Sequence, residues 1–244
     1  MRVVRWDDDR VATEDSVAVG AKPTGAELRD RYAETVRTLT FGLVAVRDNS
    51  LVLGRFDLVR FGTPKVTRSA VEWPIEGGVL SGRPGGRWRL EAKGGRVEAS
   101  LDGWVPRLPR LFYVPTHLQV HLLFTRLYLL RLRGREPAAG VRATPNDRLN
   151  AAAVDAAFCL TLAGLTGTRR LGRTLTIAAI YHVACWSITG RTLGGLVMRQ
   201  RVVAVDGSPL TPTQALLRFA LLPASWLLRR PIHDELAASD VVSD

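Results

Sequence analysis

The chain has 244 residues, a formal net charge of +11 and a hydrophobic share of 46%. Its length allows one large domain or two ordinary ones, and a mean hydropathy of +0.04 excludes a wholly embedded protein while fitting a chain that is part soluble and part membrane. Lysine occurs only at Lys22, Lys65 and Lys93, so the basic surplus is almost entirely arginine. Such a surplus suits an anionic membrane surface or nucleic acid. No zinc finger or RNP-type motif is present and the arginines are spread along the chain, so nucleic acid is not an expected partner.

The opening MRVVRWDDDR has no apolar h-region. No signal peptide is therefore expected, and the first part of the chain is expected to remain in the cytoplasm. Thr24 to Thr40 reads as a helix, with Thr24 as N-cap, Glu27 completing a capping box, and Leu28, Tyr32, Val36 and Leu39 on one face. Short strand-like segments follow at Phe41–Val46, Leu51–Val59, Val66–Trp73, Arg87–Ala92 and Arg96–Leu101, each bounded by turn residues. They predict an antiparallel meander, with Trp73, Trp88 and Trp104 as core anchors or as a possible pocket. Val114 to Arg133 reads as a long closing helix ending in arginines.

One helix, a strand meander and a closing helix are similar in element order to the helix-grip folds that bind lipids and polyketides. A filled core without a ligand fits the same order equally well. The expected fold class is thus a soluble α+β domain over residues 1–135, a Pro- and Gly-bearing linker over 136–146, and an all-α membrane domain of about three helices over 147–244.

The membrane expectation comes from three apolar stretches: Leu149–Thr166, Leu171–Ile188 and Leu210–Leu228. Each is marginal against the roughly 20 residues a spanning helix needs, and three in succession are stronger than any one. A buried helix bundle is the competing reading. Cys159 and Cys185 lie in these apolar segments with no second cysteine at metal spacing, which argues against zinc.

Several pieces of this part resemble the RDD family of small membrane domains. They are Arg148-Leu149-Asn150-Ala151-Ala152-Ala153-Val154-Asp155; Thr189-Gly190-Arg191-Thr192-Leu193-Gly194-Gly195-Leu196 running into Arg201-Val202-Val203 and Asp206-Gly207; Ala215-Leu216-Leu217-Arg218; and Ile232-His233-Asp234-Glu235-Leu236-Ala237 followed by Val241-Val242. The resemblance covers about residues 147–242. It implies three membrane helices and a proposed role in transport, and the arginine and two aspartates for which the family is named carry over to Arg148, Asp155 and Asp234. The chain departs from the pattern in its shorter, alanine-rich helices and in Gly195, where a basic residue is common.

A carboxylate such as Asp155 in a membrane helix costs roughly 2.5–3.5 kcal/mol, so it needs a partner or a polar cavity. Arg148 precedes it by two helical turns on the same stripe, and Asp234 and Arg218 are the other candidate members of one polar cluster. This set reads either as a protonatable site in an ion path or as an ion pair that fixes helix packing. His182 reads as a packing residue or a proton relay. Gly190–Val197 reads as a short interfacial helix presenting Arg191, Arg199 and Arg201 to anionic lipid head groups.

His117 and His121 share a helix face, but Leu118 stands where zinc proteases carry glutamate and no third ligand is evident. No P-loop, Gly-x-Ser-x-Gly or dinucleotide fingerprint is present. Neither an enzyme nor a cofactor or metal is expected. Two functions remain: a multi-pass cell-membrane protein moving an ion or small ligand, with a cytoplasmic α+β domain that binds lipid or regulates; or a membrane-anchored interaction or scaffold protein whose polar residues are purely structural. The expected partners are the lipid bilayer and its anionic head groups, together with an ion or small ligand.

Overall fold

The structure, a computed structural model, describes residues 3–165 and 171–243. It divides into two compact units, Met1–Arg133 and Gly134–Asp244.

In the first unit β1 (Val3–Asp7) and β2 (Arg10–Ala18) form a hairpin. Helix α1 (Gly25–Leu39) follows, opened by the expected capping box: Thr24 N–H donates to Glu27 Oε2 at 2.7 Å and Glu27 N–H donates to Thr24 Oγ1 at 3.2 Å. Then come β3 (Val44–Arg47), β4 (Ser50–Leu53), β5 (Phe56–Phe61), β6 (Lys65–Val66), β7 (Ala70–Gly77), β8 (Arg87–Lys93) and β9 (Arg96–Trp104). A short helix α2 (Arg110–Tyr113) precedes the long α3 (His117–Arg133).

The strands form one antiparallel sheet in the order β1-β2-β9-β8-β7-β5-β4-β3, with β6 also on β7. The sheet is larger than the predicted meander, because β1 and β2 extend it beyond β9. The stretch Leu51–Val59 is two strands rather than one, because Gly54 takes a positive φ of 61° and turns the chain. Asp48 and Asn49 both have positive φ, the type I′ requirement for a two-residue hairpin between β3 and β4. The first hairpin was not anticipated from the sequence. Its β2 pairs with β9, so consecutive strands β2 and β3 lie far apart in the sheet and α1 connects them.

Alternation in β9 buries Val97, Ala99 and Leu101, and a shift in its register with β2 then brings Trp104 inward as well. Helix α1 contributes Leu28, Tyr32 and Val36 to the core, and α3 contributes Leu118, Leu122, Tyr128 and Leu129. Tyr128 Oη donates to the Leu28 carbonyl at 2.9 Å and ties the two helices; burial pushes its phenol well above the usual range.

The second unit opens with α4 (Pro145–Leu165) and α5 (Leu171–Ile188), followed by α6 (Leu193–Val197), β10 (Gln200–Ala204), α7 (Pro212–Ala220), α8 (Leu222–Leu228), α9 (Ile232–Leu236) and β11 (Ser239–Ser243). Two expectations are corrected. The unit is not all-α: β10 and β11 pair antiparallel, setting Val202 opposite Val241, a pairing that suits β-branched residues. Within the stretch 136–146, Ala143 N–H donates to the Val241 carbonyl at 2.9 Å and holds this segment to β11.

The expected third membrane helix, Leu210–Leu228, is instead two short helices of 9 and 7 residues. Pro223 in the first turn of α8 lacks an N–H and cannot continue α7. Among the described residues one helix, Pro145–Leu165, is long and apolar enough to cross a membrane. Only 22% of its apolar window is buried, whereas a core helix of a soluble protein is mostly covered. Thr166, the last residue of the first expected segment, lies outside the described residues.

Candidate functional site

In the second unit the polar residues named from the sequence separate into two groups along α4. The first centres on Asp234, in the short α9. Arg218 of α7 donates from Nη1 to Asp234 Oδ1 at 2.5 Å, Arg148 of α4 donates to Oδ2, and Ser239 Oγ donates to Oδ1 at 3.0 Å. The Arg218 guanidinium also lies 4.7 Å from the centre of the Trp186 ring, a cation–π contact.

Burial alone would raise the pKa of Asp234, but Arg218 and Arg148 outweigh it and hold the carboxyl down at about 2. His233 is pushed the other way. Burial, reinforced by the two arginines, lowers it to about 4 against the pull of Asp234, so its ring is neutral at pH 7.

Asp155 stands apart from that cluster. Its Oδ1 accepts from Tyr181 Oη at 2.8 Å and from the Gly194 amide at 2.8 Å, and its Oδ2 lies 3.9 Å from His182 Nε2. No ion pair joins it to Arg148 or Arg218 among the described residues. The single cluster expected from helical spacing is thus corrected. Arg148 and Asp155 share a stripe, but α6 reaches the inner position and satisfies Asp155 before a guanidinium does.

That approach depends on Gly194: a Cβ there would lie 2.0 Å from the Ala151 carbonyl oxygen. Tyr181 and Gly194 are partners the sequence reading did not single out for Asp155. The one signal available was the glycine pair at Gly194 and Gly195, because close backbone approach requires residues without Cβ. The interfacial reading of Gly190–Val197 finds α6 there, with Gly194 and Gly195 buried and Leu196 and Val197 exposed.

Both groups border one pocket of about 450 Å³. Arg148, Asp155, His182, Arg218 and His233 line it, together with Trp186, Trp226, Arg201, Arg229 and Arg230.

The first unit holds a separate, mainly apolar cavity of about 110 Å³ between its sheet and α3. Of the three tryptophans considered from the sequence, Trp88 and Trp104 line it. Trp73 does not; it packs against Tyr32 and Phe61 at ring separations of 5.5 and 6.2 Å. His117 and His121 also line the cavity, placed one above the other by their helical spacing. His121 Nε2 lies 3.1 Å from Thr13 Oγ1, and its ring meets Trp88 edge-on at 5.4 Å. Three polar atoms of cavity-lining residues are buried without a hydrogen-bond partner: Trp88 Nε1, His117 Nδ1 and Thr125 Oγ1. Burial pushes the Tyr113 phenol, also on the wall, up to about 12, with Trp104 acting in the opposite direction.

A large antiparallel sheet packed against helices, followed by a unit of mostly short helices with one long, sparsely buried apolar helix, defines a protein of two folded units. The RDD family model matches residues 173–233, inside the stretch where the sequence resembles that family. Comparison with curated proteins and with solved structures returns no match.

Proposed function

We propose that this is an RDD-type protein of the cell membrane whose cytoplasmic α+β unit binds a small, largely apolar ligand with a polar end. The carrying observation is the cavity wall on which Trp88 Nε1, His117 Nδ1 and Thr125 Oγ1 are buried without partners. Each unpaired buried polar group costs about 1–3 kcal/mol, a cost that a ligand offering a hydroxyl or carbonyl offsets. A volume of about 110 Å³ is on the scale of one small aromatic ring. Membrane attachment is supported by the family match and by the sparse burial of α4.

Isothermal titration of the full-length protein in neutral detergent with benzyl alcohol tests the reading. Saturable heat is expected, and Val59→Phe, which fills the wall, should abolish it without lowering the melting temperature. Absence of saturable heat in the parent protein would reject the reading.

A second reading, movement of an ion or small ligand through the RDD-like unit, is favoured by one observation. Asp155 and His182 face each other at 3.9 Å on the wall of the larger pocket. Asp155→Asn keeps an oxygen that can accept from Tyr181 and Gly194. Loss of a proton-coupled flux in proteoliposomes with unchanged folding would support transport. An unchanged flux, or none in the parent, would favour the membrane-anchored scaffold.

A further inference from the structure

We propose that the 450 Å³ pocket of the second unit binds the phosphate of an anionic membrane lipid. The proposal rests on the membrane reading of that unit.

The first argument is charge. Arg148 and Arg218 converge on one carboxylate, Asp234. The nearby Asp240 is taken by Arg135 and lies 4.0 Å from Arg142. Arg142 also reaches Glu136 at 3.4 Å, so it is the two guanidiniums on the pocket wall, Arg148 and Arg218, that share a single carboxylate. The Arg218 side chain is 4% exposed, and its Nε is buried with no acceptor. A buried cation without full compensation is costly, and an added anion relieves that cost.

The second argument is the rim. Arg229 and Arg230 also line the pocket. Arg230 approaches Glu235 only at 3.9 Å, and Arg229 has no acidic partner among the described residues. Guanidinium forks match the oxygens of a phosphate in geometry as well as charge.

The third argument separates a lipid from a free anion. The wall is amphipathic: Leu149 and Leu222 line it beside the arginines, and so does Trp226, which is 86% exposed. Leu227 and Leu228 continue that exposed apolar surface up to Arg229 and Arg230. Tryptophan and leucine followed by two arginines is the pattern of a helix lying at the head-group level. A free phosphate has no use for such a wall, whereas a glycerophosphate head with its first acyl carbons fills both halves. The volume falls within the usual range for ligand pockets, about 300–1,000 Å³.

The test uses full-length protein delipidated in a neutral detergent, with thermal melting and tryptophan emission followed during titration. The probes are phosphatidylglycerol, phosphatidylcholine and inorganic phosphate. Phosphatidylglycerol is expected to raise the melting temperature and to bind at least about tenfold more tightly than phosphatidylcholine, with millimolar phosphate weaker than either. The exposed pair R229Q/R230Q should retain its own melting temperature and bind phosphatidylglycerol roughly ten- to thirtyfold more weakly, as expected for about 1 kcal/mol per surface arginine. Equal response to both lipids, or an unaltered affinity in R229Q/R230Q, would overturn the proposal. Stabilisation by inorganic phosphate as strong as by phosphatidylglycerol would overturn the lipid assignment and leave a soluble phosphate compound as the ligand. A protein that stays monodisperse without detergent would instead overturn the membrane reading itself, an outcome seen before any lipid is added.

Discussion

The amide of Gly194 donates to Asp155 Oδ1 at 2.8 Å across a gap that no other residue could leave open, since a Cβ on Gly194 would meet the Ala151 carbonyl at 2.0 Å. Because the obstructing atom is backbone, Gly194→Ala must displace α6 from α4. The expected cost is about 1–3 kcal/mol, read as a lower melting temperature in detergent. An unchanged melting temperature would show that α6 is not held in this way.

Asp234 answers two arginines, and this decides what a charge reversal does. Asp234→Asn should cost about 3–5 kcal/mol, because the buried Arg218 then loses its carboxylate. Reversing Arg148 and Asp234 together should not restore stability, since an arginine at the second position would face Arg218, whose Nη1 lies 2.5 Å from Asp234 Oδ1. Recovery of normal expression in the double reversal would show that Arg218 is not the dominant partner.

The pH dependence has two separate windows. His233 falls from 6.5 to about 4 on folding. Between those values the unfolded chain binds more protons, so stability is full above pH 6.5 and declines as pH falls toward 4. Partial exposure discounts the effect to on the order of 2 kcal/mol. Asp234, depressed from 3.8 to about 2, contributes stability that is present above pH 3.8 and lost as pH falls through 2. Melting curves of the parent and His233→Gln should diverge between pH 6.5 and 4 and run parallel above it. Identical slopes would refute the assignment to His233.

The first unit should fold alone. A fragment ending at Arg133 is expected to unfold cooperatively, with strand-rich circular dichroism. Tyr128→Phe should lower its stability by about 1 kcal/mol through loss of the bond to the Leu28 carbonyl. A fragment that melts without a transition would show that the two units fold only together.

Membrane attachment is checked on cells. The full-length chain should pellet with membranes and resist alkaline carbonate, because α4 leaves most of its apolar window uncovered. Release by carbonate would contradict that outcome.

Sequence alone determined the local features of this protein. The Thr24–Glu27 box, the helix it opens, the closing helix ending in arginines and the strands β8 and β9 are written in nearest-neighbour chemistry and in simple periodicity. The RDD resemblance was legible as well, carried by short pieces spread over the last two fifths of the chain. Which residues meet was decided by tertiary structure. The pairing of β2 with β9 joins positions near opposite ends of the first unit, and no local signal encodes it. Helical spacing placed Arg148 and Asp155 on one stripe. It could not reveal that α6 would claim Asp155 through Gly194, or that α7 and α9 would bring Arg218 and Asp234 to Arg148. Periodicity assigns a side chain to a face; its partner depends on which backbone can come close, and that is set by packing over long chain separations.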